Sequence, residues 1–149
     1  KLIKPKVINY LAKKEDIDSS KFGECTLNPD THKIDWDTVD PSKIEVVFLP
    51  ATLNGKSLLE VGEYLKNKYS NTHHLPGIEY WEYAFKNPTK VPLALKDGTY
   101  LFLFGLLIRD DYGRWSVPFL YWFGGAWDRS GDPLDRGWNS SCCVVLLKK

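Results

Sequence analysis

The residues best suited to recognising a ligand are concentrated between Gly124 and Ser141. This segment of 18 residues shows neither helical nor strand periodicity, and loops longer than about 12–15 residues in a compact domain are usually functional or disordered. Two tryptophans argue against disorder, because large apolar side chains order a segment when they are buried. We expect the recognition surface to comprise Trp127, Asp128, Arg129, Asp132, Asp135, Arg136 and Trp138.

Two pairs of an acid and a base repeat within this segment. Asp128-Arg129 and Asp135-Arg136 are seven residues apart, so each carboxylate has a guanidinium neighbour. Ion pairs that hold a surface loop in place would explain the pattern. A polar cluster between two tryptophan rings would instead suit a sugar, a base or a peptide backbone. The second interpretation predicts a non-enzymatic module that binds a protein, a carbohydrate or a small molecule through a loop at 124–141, helped by the Asp97-Gly98 turn.

A small hydrolase or transferase is the alternative function. One of Asp128, Asp132 and Asp135 would act with His73 or His74, since imidazole can accept a proton near neutral pH. This alternative requires the carboxylate and the imidazole to lie within about 3 Å of a common substrate position. The sequence leaves the enzyme question open and favours a protein that is not an enzyme.

The segment from Pro50 to Ser57 offers a second alternative, a degenerate phosphate loop. It ends in Gly55-Lys56-Ser57 and lies between an apolar run and a helical pattern, as in G-x-x-x-x-G-K-S. Pro50 replaces the first glycine and has no N–H to donate to a phosphate. A capping box formed by Ser57 and Glu60 explains the same residues without a nucleotide.

No metal and no cofactor are predicted. His73 and His74 are adjacent and diverge in an extended chain, so Glu79 and Glu82 nearby do not complete a ligand set. The sequence also lacks the His-x-x-x-His and Cys-x-x-Cys spacings that bring ligands onto one face.

The three cysteines indicate free thiols. Cys142 and Cys143 are neighbours that would point to opposite faces of a strand, and Cys25 stands alone. Free thiols are typical of a reducing compartment, which suggests the cytoplasm. The chain begins at Lys1 and contains no methionine, so we expect that its native N-terminus is missing and that a targeting segment would escape notice.

The charge balance argues against two kinds of partner. Lysine and arginine number 20 against 19 aspartates and glutamates, for a net charge of +1, so no global field attracts the chain to nucleic acid. No apolar stretch approaches the roughly 20 residues of a membrane helix, and we expect no membrane span.

Helices and a few strands are predicted in the first half of the chain. One helix should run from Pro5 to Lys14, one should begin at Ser57, and one should begin at Pro76 and stop before Asn87. In the second helix the apolar residues are Leu58, Val61, Leu65 and Tyr69, and in the third they are Ile78, Trp81 and Phe85. A buried strand is expected at 44–49, and a short strand around 34–36.

The second half reads as antiparallel strands. A hairpin should join Leu93–Lys96 to Thr99–Arg109 through Asp97-Gly98, followed by strands at 114–123 and 142–147. Because the long strands are apolar on both faces, either helices cover the sheet or it curls into a barrel, with kinks at Gly105 and Pro118. The sequence therefore predicts one α+β domain over 1–149, with a helix and strand scaffold over about 1–87 and a meander over about 91–147.

Overall fold

The computed structural model describes residues 34–77, 79–91, 98–105, 107–109 and 114–149. Three features expected from the sequence lie outside the described residues. They are the helix over Pro5–Lys14, the strand over Leu93–Lys96 and the lone thiol of Cys25. A single domain over 1–149 stays a prediction.

The described chain alternates helices and strands in an α+β fold, as the sequence predicts. The helices are α1 (Leu58–Tyr69) and α2 (Glu79–Lys86). The strands are β1 (Ile44–Val47), β2 (His73–His74), β3 (Tyr100–Phe102), β4 (Ile108–Arg109), β5 (Trp115–Phe123), β6 (Ala126–Pro133) and β7 (Cys142–Lys148). Short 3-10 turns occur at Pro41–Lys43, Ala51–Leu53 and Pro88–Lys90.

All seven strands belong to one mixed sheet, in which β7 is an interior strand. β7 pairs antiparallel with β1 and parallel with β3, while β3 and β5 are antiparallel. The expectation of a simple meander is therefore wrong for β7, which enters between β1 and β3. Residues Cys142 to Leu147 are all buried, and a strand that is apolar on both faces is accommodated best in the interior of a covered sheet.

The sheet is open, not a barrel. Among the described strands, β1, β2, β4 and β6 each have one partner, and no two of these four strands pair with each other. Helix α1 packs on one face through Leu58, Val61 and Leu65, and α2 packs on the other through Tyr80 and Ala84. One helix on each face covers the apolar side chains, so closure of the sheet is not needed to bury them.

The strand predicted over Thr99–Arg109 is interrupted. The chain leaves the ladder after Phe102 and rejoins β5 at Ile108. Gly105 N–H donates to Pro76 O at 3.0 Å, and Leu103 N–H donates to Pro118 O at 2.9 Å. The irregularity thus includes Gly105, one of the two positions that the sequence indicated, and it lies opposite Pro118, which has no N–H for this ladder. Strand β5 itself runs unbroken through Pro118. Both edges of β3 are occupied, by β5 and β7, and the hairpin expected with Leu93–Lys96 depends on residues outside those that the structure describes.

The expected loop over Gly124–Ser141 is wrong for its first half. Residues Ala126–Pro133 form β6, which pairs with β5 from Phe123↔Ala126 to Ser116↔Pro133. Gly124 and Gly125 have φ of 62° and 81°, as a two-residue hairpin turn with positive φ at both positions requires. The polar run in β6 hides this strand from periodicity, because an edge strand does not need an apolar side chain at every second position.

Candidate functional site

Strand β6 distributes the predicted recognition residues between the two faces of the sheet. Trp127 is opposite Trp122 and Arg129 is opposite Leu120, on the α2 side. Asp128 is opposite Tyr121 and Asp132 is opposite Val117, on the α1 side. The residues predicted as one cluster therefore do not form one surface.

Both tryptophans are core residues. Trp127 is 8% exposed and meets the ring of Trp122 edge-on at a centroid distance of 5.3 Å. Trp138 is 3% exposed and packs on Phe102 and Phe104 at 5.3 and 6.1 Å. The expectation that they are accessible ring platforms is wrong, and each instead anchors its segment to the sheet.

The acid and base pairs also differ from the expected ones. The guanidinium of Arg129 lies over the rings of Trp81 and Phe85, 5.4 and 5.6 Å from their centroids. Its main-chain N–H donates to Asp128 Oδ1 at 2.8 Å. Adjacent residues of a strand point to opposite faces, so their charged groups diverge.

Arg136 pairs with Asp132, not with its neighbour Asp135. The Nη1 to Oδ1 distance is 3.7 Å, and the Arg136 side chain is 60% exposed. Burial raises the pKa of Asp132, while the positive charges of Arg136 and Arg114 oppose that shift. Asp135 is exposed.

Residues 134–138 form a cap on the N-terminus of α1. Leu58 N–H donates to Arg136 O at 2.9 Å, and Leu59 N–H donates to Leu134 O at 3.1 Å. The first N–H groups of a helix have no partner within the helix, and here main-chain carbonyls supply those partners. This contact between distant segments has no signal in the sequence.

The capping box predicted at Ser57 and Glu60 is confirmed. Glu60 N–H donates to Ser57 Oγ, and Ser57 N–H donates to Glu60 Oε1, both at 3.1 Å. Gly55 N–H donates to Trp138 O at 2.9 Å. The N–H groups on which a phosphate loop would rely are thus occupied by the protein itself, which does not favour nucleotide binding here.

Two tyrosines and one carboxylate share the end of the α1 side of the sheet. Tyr100 and Tyr121 are directly opposite on β3 and β5, with ring centroids 5.9 Å apart. Tyr100 is 39% exposed, and Phe119 supports both rings at 5.6 and 5.7 Å. We call Tyr100, Tyr121 and Asp128 the tyrosine face.

Asp128 is the cross-strand neighbour of Tyr121 within this face. Burial raises the pKa of Tyr121, and the charge of Asp128 adds to that rise. The sequence places Tyr100 among the residues on one face of its strand. It does not indicate that Tyr100, at the end of that face, is exposed to solvent.

His73 has a different partner from the one the enzyme alternative requires. Its Nε2 is 2.6 Å from Glu45 Oε1, and its Nδ1 is 2.7 Å from Thr72 Oγ1. The two histidines are in β2, which pairs with β7, whereas Asp128 and Asp132 are in β6, on the far side of β3 and β5. The carboxylates of 124–141 and the histidines are not brought together.

Thr72, His73 and Glu45 are connected in the order of a nucleophilic triad. Thr72 Oγ1 also donates to Tyr69 O at 3.4 Å, so its proton has a main-chain acceptor. The hydrogen bond from His73 is the largest cause of a lowered pKa at Glu45, and Lys148 contributes with its Nζ 3.5 Å from Oε2. We interpret this cluster as an anchor between β1, β2 and β7.

The described residues contain no group of three or more histidine, cysteine, aspartate or glutamate side chains able to hold a metal ion. Cys142 and Cys143 are buried free thiols on opposite faces of β7, as expected. Burial raises the pKa of both thiols, that of Cys143 to about 12. Neither described helix has the length and apolar character needed to cross a membrane.

Comparison with protein-family models, curated proteins and solved structures gives no match for this chain. A functional assignment therefore rests on the geometry of the site.

Proposed function

We propose that this protein is a non-enzymatic binding module that uses the tyrosine face as its recognition surface. One observation carries the proposal. Two tyrosine rings lie side by side next to the carboxylate of Asp128, and Tyr100 is 39% exposed at the end of a sheet face that α1 otherwise covers. Tyrosine combines an apolar ring with a hydroxyl group, and this combination makes it frequent at recognition surfaces.

The chemistry of this face favours a carbohydrate ligand. A tyrosine ring offers an apolar surface to the C–H face of a sugar ring, and its hydroxyl can hydrogen-bond at the rim. The Asp128 carboxylate can accept hydrogen bonds from sugar hydroxyls. A hydrogen bond to a charged group is stronger than one between two neutral groups. A nucleic acid fits less well, because Asp128 would repel its phosphates.

The experiment is a titration of the ¹⁵N-labelled protein with the methyl glycosides of glucose, galactose and N-acetylglucosamine, followed by amide chemical shifts. We expect the shifts to concentrate at Tyr100, Tyr121 and Asp128. Asp128→Asn should weaken binding about tenfold or more, since a hydrogen bond to a charged group is lost. Tyr100→Ala should abolish binding.

Two control variants separate recognition from general effects. Tyr64→Ala removes a half-buried tyrosine of α1, and Asp135→Asn removes an exposed carboxylate, both outside the tyrosine face. Both should bind as the parent protein does. Equal binding by Tyr100→Ala, or no binding of any of the three glycosides, would overturn the proposal.

We further propose that the protein resides in the cytoplasm. The two buried free thiols support this location, because cysteines persist as thiols in a reducing compartment.

A further inference from the structure

A second surface with unusual chemistry lies on the α2 side of the molecule. A cleft of 250 Å³ separates the turn at 35–38 from α2. The described residues that line it include four acids and one base, namely Asp35, Asp37, Glu79, Glu82 and Lys86. The described lining of the cleft therefore carries a net negative charge, within a chain whose overall charge is close to zero.

Aromatic rings form part of the wall of the same cleft. Trp36 and Tyr83 both line it, with ring centroids 5.2 Å apart and planes inclined by 48°. Tyr80 packs behind them, 5.4 Å from Trp36 and 5.8 Å from Tyr83. Ring faces attract cations through their quadrupole, most strongly where water is excluded.

The hydroxyl of Tyr83 is an independent sign of a ligand. Tyr83 is only 5% exposed, and its hydroxyl has no hydrogen-bond partner among the residues that the structure describes. The indole N–H of Trp36 is likewise buried and finds no partner within the described part of the chain. Buried polar atoms are nearly always hydrogen-bonded, and the two side chains that carry these atoms, Trp36 and Tyr83, both line this cleft.

We propose that this cleft binds a small organic cation, an ammonium or methylated ammonium group on a molecule that also carries a hydroxyl or carbonyl oxygen. The carboxylates and ring faces attract the cation, and the ligand oxygen accepts the hydrogen bonds that Trp36 and Tyr83 offer. The volume of the cleft equals that of about eight water molecules in the liquid. This volume suits a small organic molecule. The proposal uses no residue of the tyrosine face and stands independently of it.

The test is a calorimetric titration with choline, which combines a quaternary ammonium with a hydroxyl. The matched probe is 3,3-dimethylbutan-1-ol, which has nearly the same shape and no charge. We expect choline to bind with a Kd of about 1–10 mM and the neutral alcohol to bind at least about threefold more weakly. Equal affinity for the two probes, or no binding of choline, would overturn the proposal.

Variants then locate the binding. Glu82→Gln removes an exposed carboxylate of the cleft and should weaken choline binding about threefold to tenfold. Tyr83→Phe keeps the ring, removes the unpartnered hydroxyl, and should also weaken binding. Asp135→Asn makes the same change of charge outside the cleft, and Tyr100→Ala alters only the tyrosine face, so both should bind choline as the parent does. Loss of binding in these two controls equal to that in Glu82→Gln would place the effect elsewhere and contradict the proposal.

Discussion

At the scale of single residues, Glu45 joins three strands through its carboxylate. Glu45 belongs to β1, its Oε1 meets His73 of β2 at 2.6 Å, and its Oε2 meets Lys148 of β7 at 3.5 Å. His73 is largely buried, with 13% of its side chain exposed, so its hydrogen bond is shielded from water. The Glu45 side chain is 34% exposed, and solvent screening keeps its contribution modest.

Glu45→Gln should lower the free energy of unfolding by about 1 kcal/mol at pH 7. The pKa of Glu45 in the folded protein is lowered from its ordinary 4.5, first by His73 and then by Lys148. A lowered carboxyl pKa stabilises the fold above the ordinary value, and the stabilisation is lost as the pH falls through the folded-state pKa. Urea unfolding of both proteins from pH 7 to pH 3 should therefore show a difference that shrinks below pH 4.5.

Asp135→Asn serves as the control for removal of a carboxylate, because Asp135 is exposed. A difference between Glu45→Gln and the parent that stays constant down to pH 3 would show that the carboxylate charge does not contribute.

At the scale of elements, the N-terminus of α1 explains the motif that resembles a phosphate loop. Ser57 and Glu60 satisfy each other's main-chain N–H groups, and the carbonyls of Leu134 and Arg136 satisfy those of Leu59 and Leu58. The contacts between Ser57 and Glu60 were predictable from the sequence, because an N-cap side chain reaches only the first turn of its helix. The contacts of Leu58 and Leu59 depend on a segment about 75 residues away along the chain, and they could not be predicted from one sequence.

Ser57→Ala should destabilise the protein by about 0.5–2 kcal/mol, the usual cost of losing an N-cap side chain. Lys56→Ala should change stability by less than about 0.5 kcal/mol, because Lys56 is exposed. Thermal unfolding with and without millimolar phosphate measures both effects. Ser140→Ala is the matched serine control, in an exposed turn. A phosphate-dependent rise in Tm that Lys56→Ala removes would contradict the cap and support the phosphate loop.

At the scale of the whole molecule, β7 is an interior strand with partners on both of its edges. It pairs with β1, β2 and β3, and its two faces belong to two separate cores, one under α1 and one under α2. Opening β7 would expose both cores and break hydrogen bonds on both of its edges, so it should require nearly complete unfolding.

Native-state hydrogen exchange should therefore find the slowest amides at Val144, Val145 and Leu146. Their opening free energies should approach the global free energy of unfolding, about 5–15 kcal/mol for a domain of ordinary stability. Amides of β6 that point away from β5 should exchange much faster, because β6 is an edge strand. Slower exchange in β6 than in β7 would show that β7 is not the centre of the stable unit.

The sequence by itself determined the features that depend on near neighbours. It predicted the capping box at Ser57, the apolar stripe of α1, the opposite faces of Cys142 and Cys143, and strands covered on both sides. These features rest on contacts within a few residues or on simple periodicity, so each segment carries its own signal.

Only the tertiary structure decided which distant segments meet. It paired β3 parallel with β7, joined Glu45 to His73, placed residues 134–138 on the end of α1, and sent Asp128 and Arg129 to opposite faces. Pairing and register of this kind depend on how the whole sheet buries its two faces, and many alternative pairings share the same local pattern. The tyrosine face and the acidic cleft are products of that assembly, which is why Tyr100 and Tyr83 had no functional signal in the sequence.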